Sequence, residues 1–264
     1  MATKKSKKNT PKKGKAKKIL HIFFKTILIL FILSILLPLL YRWVNPPITY
    51  LMVNRRVVHG YEIKKEWKSL EEISKHLPAC AVAAEDNNFL GHRGFDWGAI
   101  QKAIDERETG RKRGASTISQ QTAKNVFLWQ GQSWVRKGAE VYFTFLIETF
   151  WSKERIMEVY LNVIEMGKGI YGAEAAAQHY FNTSAKKLSL HQSALITAAY
   201  PNPLERNPGK PSAYLKRHAN RITDLTHKIG AIKFDKESVA KAKERYQKRE
   251  AKRRDKIDGK ILDL

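Results

Sequence analysis

Apolar and polar positions change rhythm three times along the chain. From Ile19 to Tyr41 the run is almost wholly apolar, broken by His21, Lys25, Thr26, Ser34 and Pro38. A helix needs roughly 20 such residues to cross a bilayer core. Lys25 lies near the Lys-rich end, where it can snorkel to the headgroups. Tyr41 and Trp43 lie at the other end, as interfacial aromatics do. The long run, with no A-x-A-like site before Tyr41-Arg42-Trp43, favours an uncleaved anchor over a removed signal peptide.

Asn45-Pro46-Pro47 then breaks the helix. Ile48 to Lys65 alternates weakly through Tyr50, Met52, Val57, Tyr61 and Ile63, which predicts one or two short strands. Ser69 to Leu77 reads as a short helix with Glu71 and Glu72 in its first turn. From Pro78 onward the period is helical. Asp96 caps a helix presenting Trp97, Ile100 and Ile104 and ending near Thr109-Gly110. Thr117 and Gln120 form a capping box for Ile118 to Leu128. Ser133 caps a longer helix through Trp151, and Ser152 starts another with Ile156, Val159, Tyr160 and Val163 as its buried stripe. Gly167, Gly169 and Gly172 mark a turn before the Ala-rich Ala173 to Tyr180. Ser189 caps Leu190 to Tyr200, stopped by Pro201-Asn202-Pro203. Pro211 begins the last core helix, with Leu215, Ile222 and Leu225 inward and Gly230 as its stop. No internal repeat is present. The pattern predicts one transmembrane helix (19–41), then a mainly α domain from about 45 to 230 with little strand.

Composition changes this picture in one respect. A chain of 264 residues has room for one large domain with appendages. Its formal charge of +24 is unevenly spread, with nine Lys and no acid between Met1 and Lys18. The tail over 231–264 is basic again. Such runs are solvated and draw anionic partners, either nucleic acid or a membrane surface. The apolar span decides for the membrane, and Lys ahead of it predicts a cytoplasmic N-terminal tail (1–18) and an exported domain. The segment 231–264 reads as a charged amphipathic tail that can be helical but adds little to the core. Cys80 is single, so no internal disulfide forms, and its apolar setting makes it a small buried side chain.

Candidate chemistry is concentrated in three stretches. Glu85 and Asp86 adjoin Phe89, His92 and the Gly94 turn. Gly114-Ala115-Ser116-Thr117 leads into Gln120, Gln121, Lys124 and Asn125, with the basic, Gly-flanked link Arg111-Lys112-Arg113 before it expected to be mobile and to face substrate. Arg136 and Lys137 stand one turn before Glu140. Separated carboxylates with fixed cations between them suit a glycosyl transfer that expels a phosphate. A base takes the proton of the attacking hydroxyl, cations hold the leaving group, and neutral side chains hydrogen-bond the sugars. Each residue also has an ordinary reading: Asp86 as a turn cap, His92 as a satisfied structural histidine, Gln120 and Gln121 as a polar helix face, and Arg136–Glu140 as a surface ion pair.

In order and spacing, Glu85-Asp86-x-x-Phe89-x-x-His92-x-Gly94-Phe95-Asp96, Gly114-x-Ser116-Thr117-x-x-Gln120-Gln121-x-x-Lys124-Asn125 and Arg136-Lys137-x-x-Glu140 are joined by three further matches. These are Lys153-x-x-Ile156-x-x-x-Tyr160-Leu161-Asn162, Gly169-Ile170-Tyr171-Gly172-x-x-x-Ala176 and Pro201-Asn202-Pro203. From about Leu77 to Pro208 the chain resembles the glycosyltransferase domain of class A penicillin-binding proteins, and more closely the monofunctional biosynthetic peptidoglycan transglycosylases. The resemblance implies a lysozyme-like, mainly α fold with a small flexible lobe near the membrane. It implies polymerisation of lipid II into β-1,4-linked glycan, with inversion and release of undecaprenyl pyrophosphate. Glu85 would be the base and Glu140 the second essential carboxylate. Asp86, Phe89, His92, Ser116, Thr117, Gln120, Gln121, Lys124, Asn125, Arg136 and Lys137 would bind substrate. No cofactor is required, with a divalent cation (Mg or Mn) an optional guest at the pyrophosphate.

The partners implied are lipid II, the growing lipid-linked glycan, the membrane and other cell-wall synthesis or division proteins, but not nucleic acid. The location implied is the bacterial inner membrane, single-pass, with the catalytic domain periplasmic. One departure is Gln132, where many relatives carry a basic residue, for which Arg111, Lys112 or Arg113 would compensate. Ser184-Ala185-Lys186-Lys187 fits S-x-x-K by coincidence, since no K-T-G follows and no transpeptidase module is expected. Two other classes remain: a membrane-bound lytic transglycosylase or muramidase, which needs a carboxyl kept protonated in an apolar pocket, and a non-enzymatic basic binding module.

Overall fold

The computed structural model describes residues 13–110 and 114–262, so the Arg111-Lys112-Arg113 link lies outside the described residues. Helix α1 (Lys13–Leu40) contains the apolar stretch Lys17–Leu40, long enough to cross a bilayer. Its far end is tied to the domain by polar contacts. Ser34 shares a hydrogen bond with Tyr142 at 2.9 Å, and Trp151 Nε1 donates to the Pro38 carbonyl at 2.7 Å. Just past the helix end, Arg155 donates to the carbonyls of Tyr41 and Val44, both at 2.9 Å. A cation on the last carbonyls of a helix satisfies acceptors that have no partner within it.

The segment read as strand is mostly helix. Helix α2 (Tyr50–His59) starts at Thr49, whose hydroxyl accepts from Met52 N, and stops at Gly60 in the left-handed region. These two end signals outweigh an alternation too sparse to specify a strand, and Leu51 and Met52 are buried at adjacent positions. In that segment only Lys64–Lys65 forms a strand (β1). It pairs in parallel with Ile170–Tyr171 (β3), which pairs antiparallel with Glu165–Gly167 (β2). Arg55 on α2 forks onto Glu165 at 3.0 and 3.1 Å, fastening the helix to this small sheet.

The short helix expected over Ser69–Leu77 is a 3-10 turn, Leu70–Glu72, with Ser69 N and Oγ both donating to Glu72. Ile73 is extended, and α3 (His76–Glu85) begins afresh. Next come α4 (Trp97–Glu108), α5 (Ile118–Phe127), α6 (Trp134–Phe150) and α7 (Lys153–Val163). Their N-caps are Asp96, Thr117, Ser133 and Ser152, each accepting from the backbone N–H three residues on. The β2–β3 hairpin leads to α8 (Ala173–Phe181), α9 (Leu190–Ala199) and α10 (Ala213–Ile229), capped by Ser212 rather than opened by Pro211.

The core centres on α5, α7 and α8, where Ile118, Ile156, Val159, Tyr160, Val163 and Ala176 have no exposed surface. A second cluster joins α3, α9 and α10 through Cys80, Leu195, Leu215 and Ile222. Burial pushes the Cys80 thiol up to about 11, the state of a packing side chain rather than a nucleophile. Helix α4 buries none of its residues, and Trp97 and Ile104 stay 55% and 50% exposed.

The C-terminal segment departs from expectation. Residues 236–262 form helix α11 (Lys236–Leu262), which packs on the domain rather than trailing from it. Ile232 and Phe234, just before it, lie against the main core, and Tyr246 is 9% exposed. The sequence pattern there is mostly charge, so the few anchoring aromatics were invisible in it.

Candidate active site

The site begins where α3 ends. Glu85 is the last residue of α3, half-buried, with its carboxylate at the negative end of the helix. Gln121 on α5 donates to Glu85 Oε2 at 2.8 Å. Burial pushes the Glu85 carboxyl up from its ordinary range, Gln121 pulls it back, Asp86 adds to the rise, and Lys124 opposes it. Tyr160, buried in the core, donates to Gln121 Oε1 at 3.3 Å and so orients the amide.

Asp86, Phe89 and His92, expected among the substrate-binding side chains, are buried, though Asp86 borders the same cavity as Glu85. His92 Nε2 meets both Asp86 oxygens at 2.9 Å, and His92 Nδ1 accepts from Gly94 N at 3.1 Å. Asp86 also accepts from Ile118 N at 3.0 Å, at the positive end of α5. The pair therefore ties the loop after Glu85 to the helix carrying Gln121 and Lys124. Phe89 is fully buried under the Lys153 ammonium, 4.7 Å from the ring centre. Gly94 takes φ +85°, and a Cβ there would lie 2.7 Å from Thr144 Cγ2, so only glycine fits.

Thr117 and Gln120 are likewise occupied. The Thr117 hydroxyl donates to the Gly94 carbonyl at 2.7 Å and accepts from Gln120 N, while the Gln120 side chain accepts from Thr117 N. Both are buried, as is Asn125. The polar groups of Thr117 and Gln120 close the capping box at the start of α5. Ser116 is exposed at the mouth of a cavity of about 500 Å³ that Glu85 also lines.

The cationic half stands on α5 and α6. Glu140 is 3% exposed, and its two oxygens accept from Arg136 at 3.0 Å and from Lys137. Lys124 lies within electrostatic reach of Glu140, Arg136, Lys137 and Glu85 at once. Burial, the largest influence, lowers the Lys124 pKa, Glu140 opposes that, and the two neighbouring cations reinforce it. Arg136 Nε is buried and makes no hydrogen bond within the protein, a donor left over for an anionic guest.

Among the described residues, no group of three or more His, Cys, Asp or Glu is placed to hold a metal ion. Glu140 alone does not make such a site, since both its oxygens already serve cations. Gln132 is exposed, and the basic residues suggested to compensate for it lie outside the described residues.

Three side chains that residue-level reasoning did not select support the site. Glu148 accepts from Ser119 and, at 2.6 Å, from the buried Lys153, whose ammonium lies over the Phe89 ring. Tyr160 acts through Gln121. Only the spacing of Lys153 and Tyr160 hinted at them, and Glu148 carried no signal.

The arrangement sets a desolvated carboxylate beside a cluster of cations, one with an idle donor. It can remove a proton and hold a dianionic leaving group. The sequence model of the Transglycosylase family matches residues 53–227. A protein of Bacteroides thetaiotaomicron named biosynthetic peptidoglycan transglycosylase is 52% identical over 240 residues, 88% of this chain and 97% of that protein. Proteins of the same name from Caulobacter vibrioides and Bdellovibrio bacteriovorus are 54% and 53% identical, each over 75% of this chain and 85% and 82% of their own lengths.

Proposed function

The chain belongs to the transglycosylase family, and from that premise we propose that it is a membrane-anchored peptidoglycan glycosyltransferase that polymerises lipid II. Glu85 takes the proton from the 4-hydroxyl of an incoming GlcNAc. That oxygen attacks the anomeric carbon of the donor from the face opposite the pyrophosphate. The carbon–oxygen bond to phosphate breaks, a β-1,4 link forms with inversion, and the electron pair leaves on undecaprenyl pyrophosphate. Lys124, Arg136 and Lys137 take up that charge, and Glu140 aligns the last two. No step is routed through a divalent ion.

The observation that carries this reading is the idle, buried Arg136 Nε next to an ammonium, Lys124, whose surroundings include the Glu85 carboxylate. A guanidinium donor without a protein partner is what a phosphate oxygen satisfies. A carboxyl raised by burial is also what a glycan-cleaving general acid needs. Incubating the full-length protein in detergent with lipid II, and separately with preformed strands, tests the two. Long glycan from lipid II supports the proposal; shortening of strands without synthesis overturns it.

The apolar α1 anchors the chain in a membrane. By the positive-inside rule, its Lys-rich start lies in the cytoplasm and the domain on the periplasmic side of an inner membrane. Val135 and Phe145, 75% and 63% exposed, share a face of α6 with Tyr142, which is bonded to the anchor, and so extend the apolar surface there. An enzyme held at the bilayer suits a substrate held there by a polyprenyl tail. Other cell-wall synthesis proteins are the partners this placement favours.

A further inference from the structure

The family match ends at residue 227, yet the helix that follows closes one side of the cleft. The cavity of about 500 Å³ beside Glu85 is walled on one side by Tyr246, Arg249, Glu250 and Arg253 of α11. Tyr246 lies on Gly91 so closely that a Cβ at that glycine would be 2.7 Å from Tyr246 Cβ and 2.9 Å from the Ala242 carbonyl. Its ring meets His92 edge-on, with centroids 6.1 Å apart. Its hydroxyl accepts from Trp97 N at 3.2 Å and donates to the Phe95 carbonyl at 3.4 Å. Arg249 donates to Asn88 Oδ1 at 2.8 Å, and Asn88 Nδ2 donates to Asp96 Oδ2, on the N-cap of α4, at 2.7 Å.

These contacts converge on the twelve residues that follow the base. The loop and the first residue of α4 touch α11 at Asn88, Gly91, His92, Phe95 and Trp97, and the loop touches the core through His92, Asp86 and Ile118 N. Without α11, only the inner side of the loop would be tied, and α4, which buries nothing of its own, would lose the support at its first turn.

We propose that α11 is a working part of the catalytic cleft, in which Tyr246 and Arg249 are positioning residues that hold the loop after Glu85, and the start of α4, in register with α5. This rests on the glycosyltransferase reading above. Displacing a reacting group by about 1 Å can cost as much as 10²-fold in rate, so the effect belongs in kcat.

The test uses the full-length protein in detergent with lipid II. Tyr246→Ala and Arg249→Ala are expected to lower kcat about ten- to a hundredfold with KM changed little. Tyr246→Phe keeps the ring on Gly91 and loses two hydrogen bonds, and is expected to fall between Tyr246→Ala and wild type. Arg249→Lys is expected to restore part of the rate. Leu215→Ala, in the separate cluster of α3, α9 and α10, controls for lost stability alone. Amide exchange provides a readout apart from activity, and the Trp97 amide is expected to exchange faster in Tyr246→Phe. The proposal is overturned if Tyr246→Ala and Arg249→Ala polymerise at the wild-type rate, if their loss merely tracks melting temperature as in Leu215→Ala, or if exchange across 88–98 is unchanged. A wild-type protein that makes no glycan would sink the functional reading instead, and the exchange result would still decide whether α11 holds the loop.

Discussion

The amide of Gln121 donates to the carboxylate of Glu85 at 2.8 Å, a direct polar contact between the proposed base and the helix that also carries Lys124. It holds the carboxylate toward the cations, and it favours the ionised form against a burial that disfavours it. The chemistry assigned to Glu85 depends on that balance.

Replacing Glu85 by Gln removes the charge while keeping an oxygen for Gln121. Lipid II polymerisation should fall by about 10²–10⁴. Stability should move the other way. Burial raises the Glu85 pKa in the fold, so its contribution is fully present below the ordinary carboxylate pKa and is lost as pH rises through the raised value. At neutral pH the variant should therefore melt higher, by about 2–4 °C for each kcal/mol relieved. The gap should close near pH 4. Thermal melts at both pH values check this, and a Gln variant that melts lower at neutral pH would contradict it.

The pH dependence of kcat/KM should be a narrow bell. Its acid limb, set by Glu85, lies above the ordinary carboxylate range, because the base must be ionised and burial raises its pKa. Its alkaline limb, set by Lys124, lies below the ordinary lysine range, because burial and the two neighbouring cations favour the neutral amine. Gln121→Met removes the donor that stabilises the carboxylate. It should move the acid limb upward and leave the alkaline limb in place.

Glu140 tests the cationic half. Glu140→Gln withdraws the charge that Arg136 and Lys137 share, leaving an already under-partnered guanidinium worse satisfied. The fold should lose roughly 1–3 kcal/mol, the usual cost of breaking hydrogen bonds to a buried charged group. Polymerisation should fall further than that loss explains. Arg136→Lys should fail to restore activity, since one ammonium cannot reproduce the two-pronged donor. Chemical denaturation beside a lipid II assay separates the two effects.

Charge neutralisation by side chains predicts tolerance of metal removal. In excess EDTA, polymerisation should keep most of its rate, and added Mg or Mn should alter it only modestly. Near-complete loss on chelation, restored by the metal, would mean that Lys124, Arg136 and Lys137 do not suffice.

Much of the helical framework was legible because its signals are local. Asp96, Thr117, Ser133, Ser152 and Ser189 each cap the helix expected of them, and the stripe Ile156, Val159, Tyr160, Val163 is fully buried. Two of the misread segments lacked a strong local signal. The helix over Tyr50–His59 is declared by Thr49 and Gly60 rather than by periodicity. The docking of α11 depends on Tyr246 and Arg249 meeting residues more than 140 positions earlier, which no window along the chain can register.

By itself the sequence determined the family, the membrane anchor and the inventory of acids and cations, because motif order, apolar length and charge are properties of the linear chain. Only the tertiary structure decided which of those polar groups face the cleft. His92 and Gln120 spend their hydrogen bonds inside, Asp86 and Thr117 do the same while bordering the cavity, and Glu85 and Lys124 are held beside charged partners at the site. The physical reason is that a buried polar atom must find a partner, and which partner it finds is set by the elements that pack across it.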